Sequence, residues 1–424
     1  MASHAWRFAG WSLVLALSLA CSSSMTPEGG GGQITGGSPG SGGSPGSGGS
    51  PGSGGSPGSG GNPGTGGASS AGPTSARMFA AMLGRTNFMI GLGNDYDMGP
   101  MSSHDRDGAF TLGVTLDLHY GYLVGLMGKG GWTDWNQDGS FVDILFGAAD
   151  KKGTVPMYTL YSFAAEGEGN TNALVSTDYM QRYWGGARKL FQRLGNYGKP
   201  AVVHLEPDFW AYMQQKGGGD PTKVKALVKM ATECADLGDD VGGVGQCLVR
   251  LARQYAPKTA IGFHASEWGG PPAQIVSFFK GIGASSADFV ATDALDRDAG
   301  CFEAKVDPNC QRGGNFYWDE TNTTHPNFHD HLAYVKTITD GLGKPMLWWQ
   351  VPLGVPSTMP GGTKDHYRDN RVHYLFGHVQ EFIDAGFAGA AFGVGAGNQT
   401  SIATDGGQFK NAVNAYYAKP VPLP

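Results

Sequence analysis

The stretch Ala201-Val202-Val203-His204-Leu205-Glu206-Pro207-Asp208-Phe209-Trp210 concentrates more chemistry than any other part of the chain. In a strand, successive side chains alternate, so Ala201, Val203 and Leu205 fall on one side and Val202, His204, Glu206 and Asp208 on the other. Two carboxylates and an imidazole facing the interior of a sheet are costly to bury without a purpose. Pro207 lacks an amide proton and ends the ladder. Two carboxyls at a strand's exit, followed by Phe209, Trp210 and Tyr212, supply an acid, a charge to tune it and flat ring faces. Those are the needs of glycosidic-bond hydrolysis. The plainer alternative is a buried carboxylate bound to backbone groups beside a core tryptophan.

Something must hold that strand, and the chain supplies a repeating unit. Apolar runs at Phe88–Leu92, Thr111–His119, Val155–Tyr161, Ala201–Glu206, Thr259–His264, Phe289–Asp293, Met346–Val351 and Ala388–Val394 read as strands. Helical patterns lie between them, at Asp178–Leu194, Pro221–Cys234, Gly245–Tyr255, Pro272–Ile282, Asn327–Gly341, Arg368–Gly386 and Gly407–Tyr417. Strands alternating with helices imply parallel pairing. Eight of them predict a (β/α)8 barrel, with a doubly wound open α/β sheet as the alternative closure. Polar residues collect at the predicted strand exits: Asn94, Asp95 and Asp97; Asp117 and His119; Tyr161 and Ser162; Glu206 and Asp208; His264, Ser266 and Glu267; Asp293, Asp296 and Asp298; Trp348, Trp349 and Gln350; Asn398 and Gln399. In a barrel that rim is the active site.

The barrel is predicted to occupy residues 76–424. Residues 1–20 carry Arg7 and a short apolar run, too short to span a membrane and suited to a signal peptide. Cys21 follows, in a context that resembles a bacterial lipoprotein signal, which implies an acylated cysteine. Residues 21–75 form a low-complexity tether with tandem Gly-Gly-Ser-Pro-Gly-Ser units and almost no apolar surface to bury. About 50 such residues span on the order of 40 Å, enough to hold a domain clear of a membrane or cell surface. Ser18 and Ala20 also suit an ordinary signal peptidase, so the reading is an exported monomer, either lipid-anchored in the bacterial envelope, at the outer membrane or cell surface, and touching a membrane only through that anchor, or secreted. A net charge of −6 with no Lys/Arg-rich block argues against nucleic acid as a partner. Cys234, Cys247, Cys301 and Cys310 fall into two sequence-local pairs, expected as disulfides Cys234–Cys247 and Cys301–Cys310, although four cysteines allow three connectivities.

The rim narrows the chemistry. A retaining barrel glycosidase of the largest clan needs a carboxylate at the ends of strands four and seven, and strand seven offers Gln350. A chitinase-type site needs a longer run of alternating acids on strand four. The segment Pro156–Met213, with apolar residues ending in Glu206-Pro207-Asp208, a small-residue loop at Gly167–Asn172 and a long helix through Tyr179–Leu194, resembles glycoside hydrolase family 6. The resemblance implies an inverting cellobiohydrolase or endoglucanase in which Asp208 is the general acid. The family carries a further Asp at the preceding strand's exit that keeps the acid protonated. Here Tyr161-Ser162-Phe163 stands there, leaving Glu206 or Glu166 for that work. An inverting enzyme also needs a base about 6.5–9.5 Å from the acid with a water between them. Asp293 and Asp298 after strand six are candidates, as are Asp365 and Asp369 after strand seven, with Asp365 favoured by the resemblance.

Trp132, Trp210, Trp268 and Trp349, together with Asp117, His119, His264 and Gln350, are expected to line the substrate site. Trp348 and Trp349 are adjacent, so one faces the barrel and the other the helices. No cofactor is expected, although Asp134, Asn136 and Asp138 open like a calcium loop whose twelfth position, Leu145, lacks the bidentate Glu. Two other functions fit parts of the pattern. A non-catalytic surface glycan-binding lipoprotein would keep the tryptophans without needing Glu206 and Asp208 on one face. A metal-dependent hydrolase or deacetylase would use Asp117, His119, His204, Glu206, Asp208, His264 and Asp293.

Overall fold

The computed structural model describes residues 74–93, 108–294, 299–306, 308–314, 316–355, 366–393 and 400–424. The signal segment, Cys21 and the tether lie outside them, as do Asp298 and Asp365. Eight strands pair in parallel in chain order: β1 Met89–Gly93, β2 Leu118–Val124, β3 Val155–Tyr161, β4 Ala201–Leu205, β5 Thr259–His264, β6 Phe289–Asp293, β7 Met346–Val351 and β8 Phe387–Phe392. β8 pairs back onto β1, so the sheet closes into the predicted (β/α)8 barrel and the open-sheet alternative falls. Nearly every strand residue is buried, as expected for a parallel sheet with side chains packed inside and helices packed outside.

The main helices are α1 Ser75–Met82, α2 Phe141–Lys151, α3 Thr177–Tyr197, α4 Phe209–Lys216, α5 Val241–Tyr255, α6 Pro272–Gly281, α7 Phe328–Leu342, α8 Arg371–Gly377, α9 Val379–Asp384 and α10 Gln408–Ala418. The site depends most on α3. Ser176 caps its start by accepting from the Tyr179 amide, and Gly198 ends it in the left-handed conformation at φ 67°. Tyr179, Met180, Tyr183, Trp184, Ala187, Leu190, Phe191 and Leu194 recur at three- and four-residue spacing and form its buried stripe. At the barrel's other end, Phe79 of α1 stacks on Phe289 at a centroid distance of 5.0 Å.

Three predicted elements differ. The sequence predicts the second strand over Thr111–His119, whereas β2 starts at Leu118, so Asp117 and His119 sit at its entrance and not its exit. The predicted helix Pro221–Cys234 is two 3-10 turns, Pro221–Lys223 and Thr232–Cys234. Between them Asp239 accepts from the amides of Val228 and Lys229, at 2.9 Å each, in place of helical carbonyls. The predicted Arg368–Gly386 helix breaks at His378 into α8 and α9. Both disulfides form as expected, Cys234–Cys247 and Cys301–Cys310. Among the described residues, no helix is long and apolar enough to cross a membrane.

Two glycines make room inside the mouth. A Cβ on Gly93 would stand 2.2 Å from the Tyr120 ring, and one on Gly393 would stand 1.8 Å from its hydroxyl. Tyr120 can therefore cross the barrel toward Trp349, their ring centroids 6.0 Å apart. Gly93→Ala is expected to cost about 1–3 kcal/mol by overpacking and Gly93→Ala/Tyr120→Leu appreciably less. Denaturant unfolding of the two variants measures the difference; equal losses would mean that Tyr120 does not set the constraint.

Candidate active site

The exits of β3 and β4 are joined by Glu206. Its amide donates to the Leu160 carbonyl at 2.7 Å, and its Oε2 accepts from the amides of Ser162 and Phe163 at 2.9 and 3.0 Å. Tyr179 of α3 completes the corner by donating its hydroxyl toward the Ser162 and Phe163 carbonyls at 3.1 and 3.0 Å. Glu206 is fully buried at φ 47°, a left-handed conformation rare outside glycine. That turn breaks the strand's alternation, so its carboxyl lies under α3 near Tyr179 and Tyr183 and away from the mouth. The expectation that Glu206 shares a face with Asp208 is therefore corrected. Burial pushes its carboxyl up to about 8, against the lowering effects of the Phe163 amide, the Tyr183 hydroxyl and the Ser162 amide. For Glu206 the plainer alternative, a buried carboxyl on backbone groups, is the one observed.

Asp208 stands at the rim, half-buried, at φ 67° in front of α4. Its Oδ2 accepts from the Tyr161 hydroxyl at 3.3 Å, and the same hydroxyl meets Glu168 Oε1. Burial first, and the Asp208 charge second, raise the Glu168 carboxyl to about 8. Glu168, and not Glu206 or the exposed Glu166, is thus the acid coupled to Asp208. Sequence reasoning missed it because it lies in a loop of no fixed period. A usable signal was its place between Gly167 and Gly169, which at φ 102° and 70° turn the loop back over the rim. Gly169 rests on Tyr212, whose ring meets Trp268 edge-on at 4.7 Å. Both rings are half-buried, and Tyr212 lies one turn of α4 after Asp208, its amide donating to the Asp208 carbonyl at 3.1 Å.

Below this rim, a hydrogen-bonded line crosses the barrel. Thr159 Oγ1 lies 3.3 Å from His204 Nδ1, His204 Nε2 lies 3.0 Å from His264 Nδ1, and His264 Nε2 lies 3.3 Å from Asp293 Oδ1. Strand register puts all four inward, as alternation predicts for His204, His264 and Asp293. Trp349 also points inward and lays its ring against both imidazoles, at 4.8 and 5.4 Å, while Trp348 packs outward on Phe382. Burial, reinforced by the nearby His264, lowers His204 well below the usual histidine range.

Several expected site residues lie elsewhere. Asp117 sits at the closed end, accepting from the Ile90 amide and the Tyr417 hydroxyl and pairing with Arg85 at 2.8 Å. His119 faces outward against Phe110 at 4.4 Å. Trp210 is fully buried, its indole N–H donating to the Leu205 carbonyl at 2.9 Å, and Trp132 is buried as well. These four are corrected from substrate contacts to framework residues. Gln350 is buried at φ 52° in a bulge between Trp349 and Val351. Asp369 forms a fully buried ion pair with Arg371, whose guanidinium lies over Trp318 at 4.6 Å, so it is not placed to act as a base. In the calcium-like turn, Asp134 accepts from the amides of Gly128 and Gly130, and Asp138 pairs with Lys189 and Arg193. Among the described residues no group of three or more His, Cys, Asp or Glu is arranged to hold a metal ion.

No protein-family model matches the chain, and no curated protein is a significant match. Similar solved structures include a GH5 family lichenase from Caldicellulosiruptor sp. F32, at 11% identity over 81% of this chain and 95% of that one, TM-score 0.48. The endoglucanase Cel6 from Mycobacterium tuberculosis matches at 13% identity over 63% and 73%, TM-score 0.31. Beta-glucuronidase 2 from Bacteroides uniformis matches at 12% identity over 73% of this chain, TM-score 0.42, and the chain spans only 30% of its length. Likeness at this level is one of fold.

The Glu206 corner makes a stability prediction. Its folded-state value of about 8 lies above the ordinary 4.5, so its contribution is fully present below about pH 4.5. It is eroded as pH rises and is gone past about pH 8. Glu206→Gln keeps the two amide bonds without the ionisation. It is expected to flatten the fall in stability between pH 5 and 8.5, read as Tm against pH; a Tm profile parallel to that of the wild type would contradict the assignment.

Proposed function

We propose that this protein is a glycoside hydrolase that cleaves a polysaccharide by inversion, with Asp208 as the general acid. The observation that carries the reading is the Asp208–Tyr161–Glu168 cluster at the open rim. Two carboxyls bridged by one hydroxyl retain a shared proton to higher pH than either would alone, and they titrate as a pair. Glu168, in place of Glu206 or Glu166, is the carboxyl that keeps Asp208 supplied with a proton. The half-buried Tyr212 and Trp268 rings, paired edge-on one turn of α4 after the acid, provide faces for a pyranose to stack on.

In the proposed reaction Asp208 gives its proton to the leaving glycosidic oxygen as that bond breaks. Water attacks the anomeric carbon from the opposite face and loses a proton to a carboxylate base, leaving two hydroxyl-terminated products. Asp293 is the candidate base among the described residues, since it faces the mouth from the end of β6. Asp365, which follows β7 in the sequence, is the other. Glu206 positions the acid and makes no contact with substrate. The protein would meet its substrate after export, tethered by an acylated Cys21, a location suited to its two disulfides.

The test is release of reducing ends from a panel of β-glucans, xylans, mannans and peptidoglycan by the purified protein. Asp208→Asn is expected to lower kcat by about 10²–10⁴-fold. Retention of activity by this variant on substrates with poor leaving groups would remove Asp208 from the role. Binding of a polymer without release, by wild type and variant alike, would select the glycan-binding lipoprotein instead. Glu168→Gln removes the second carboxyl. Because burial and the Asp208 charge hold a proton on the pair at Glu168 up to about pH 8, the alkaline limb of kcat/KM is then expected to move to lower pH once that second carboxyl is gone. An unmoved limb would break the coupling between Glu168 and Asp208.

A further inference from the structure

The line from Thr159 to Asp293 has a direction that follows from its chemistry. An ionised carboxylate only accepts, a neutral imidazole carries one N–H and one lone pair, and a threonine hydroxyl can do either. With Asp293 ionised, His264 Nε2–H donates to it. His264 Nδ1 must then accept from His204 Nε2–H, and His204 Nδ1 from the Thr159 hydroxyl. Every proton in the line points toward one carboxylate. The reverse direction requires a proton on Asp293 Oδ1 and leaves the Thr159 hydroxyl as the final acceptor.

Burial favours the first arrangement. Thr159 and His204 are fully buried and His264 nearly so, while the Asp293 side chain is 17% exposed. The one member of the line in contact with solvent is therefore the charged one. Trp349 meets both imidazoles edge to face, and burial keeps His204 neutral. Among the described residues, the titratable groups near Asp293 besides His264 include Tyr334 of α7 and, beyond it, Glu267 after β5. Burial first, and the Glu267 and Asp293 charges after it, raise the Tyr334 hydroxyl, so this phenol stays neutral beside them.

We propose that Thr159, His204 and His264 form a one-way hydrogen-bond chain that anchors Asp293 as an ionised acceptor at the mouth, making the two histidines positioning residues for the base. The inference rests on the glycoside hydrolase reading for its catalytic consequence, but the polarity of the chain can be measured without activity. Anchoring one carboxylate oxygen from below fixes the rotamer of Asp293. Donation through two polarised imidazoles stabilises its charged form.

The experiment uses the full-length protein labelled with ¹⁵N-histidine. Long-range ¹H–¹⁵N spectra at pH 7 to 8 are expected to show His204 and His264 both as neutral Nε2–H tautomers, assigned with His204→Gln and His264→Gln. Asp293→Leu is expected to abolish that uniform state at His264. An Nδ1–H tautomer or an imidazolium at either position in the wild type would overturn the proposal, whether or not any glycan is cleaved. The kinetic arm uses a near-isosteric pair away from the rim. Thr159→Val removes the terminal donor, and the acidic limb of kcat/KM is expected to rise by about half to one pH unit with KM little changed; Thr159→Ser restores it. An unshifted limb in an active Thr159→Val enzyme would overturn the positioning role. Absence of product from every glycan would count against the glycoside hydrolase reading alone, leaving the tautomers to decide the chain.

Discussion

The mouth of this barrel is organised by a carboxyl that water cannot reach. Glu206 holds the amides of Ser162 and Phe163 with its side chain and the Leu160 carbonyl with its own amide, so a single residue locks the exit of β3 to the exit of β4. The left-handed backbone needed to make those bonds is strained for glutamate, and the buried hydrogen bonds offset the strain. Everything at the rim inherits this geometry. Tyr161 is held just before the locked corner, Asp208 leaves it in a second left-handed turn, and the Glu168 loop folds back over both.

The carboxyls of the mouth differ in environment, and the differences sort their roles. Glu206 is sealed under α3 and is held neutral by burial over much of the physiological range. Glu168 and Asp208 are half-buried, close enough through Tyr161 for the charge of one to raise the other. Asp293 reaches solvent but is backed by two imidazoles. Similar groups pushed to different protonation states by burial and neighbours are the pattern of acid–base sites. The apolar framework makes this possible by excluding water from Glu206 and His204, so their few polar partners decide their states.

The repeating apolar runs made the barrel legible, since a closed parallel sheet buries every strand and leaves eight similar signals. Strict alternation also placed His204, His264 and Asp293 inward, because those strands stay regular to these residues, and it required one of Trp348 and Trp349 to face the barrel without saying which. It failed at Glu206, where a positive φ turns the side chain out of register, a conformation that residue type does not announce in glutamate. Asp117 and His119 were misplaced for a simpler reason, a strand start set seven residues too early, which exchanged entrance for exit. Trp210 looked like a sugar platform, but its indole found the Leu205 carbonyl and its ring went into the core. Glu168 carried no periodic signal at all, because only the folding back of a glycine-flanked loop brings it to Asp208.

Inversion at the anomeric carbon is the consequence of the two-carboxylate account that can be observed most directly. ¹H NMR of the first product formed from a polymer the enzyme cleaves, recorded before mutarotation, reads the configuration of the new reducing end. The account predicts the anomer opposite to that of the bond cut. A product that keeps the original configuration would contradict it and require a covalent nucleophile in place of a water-activating base.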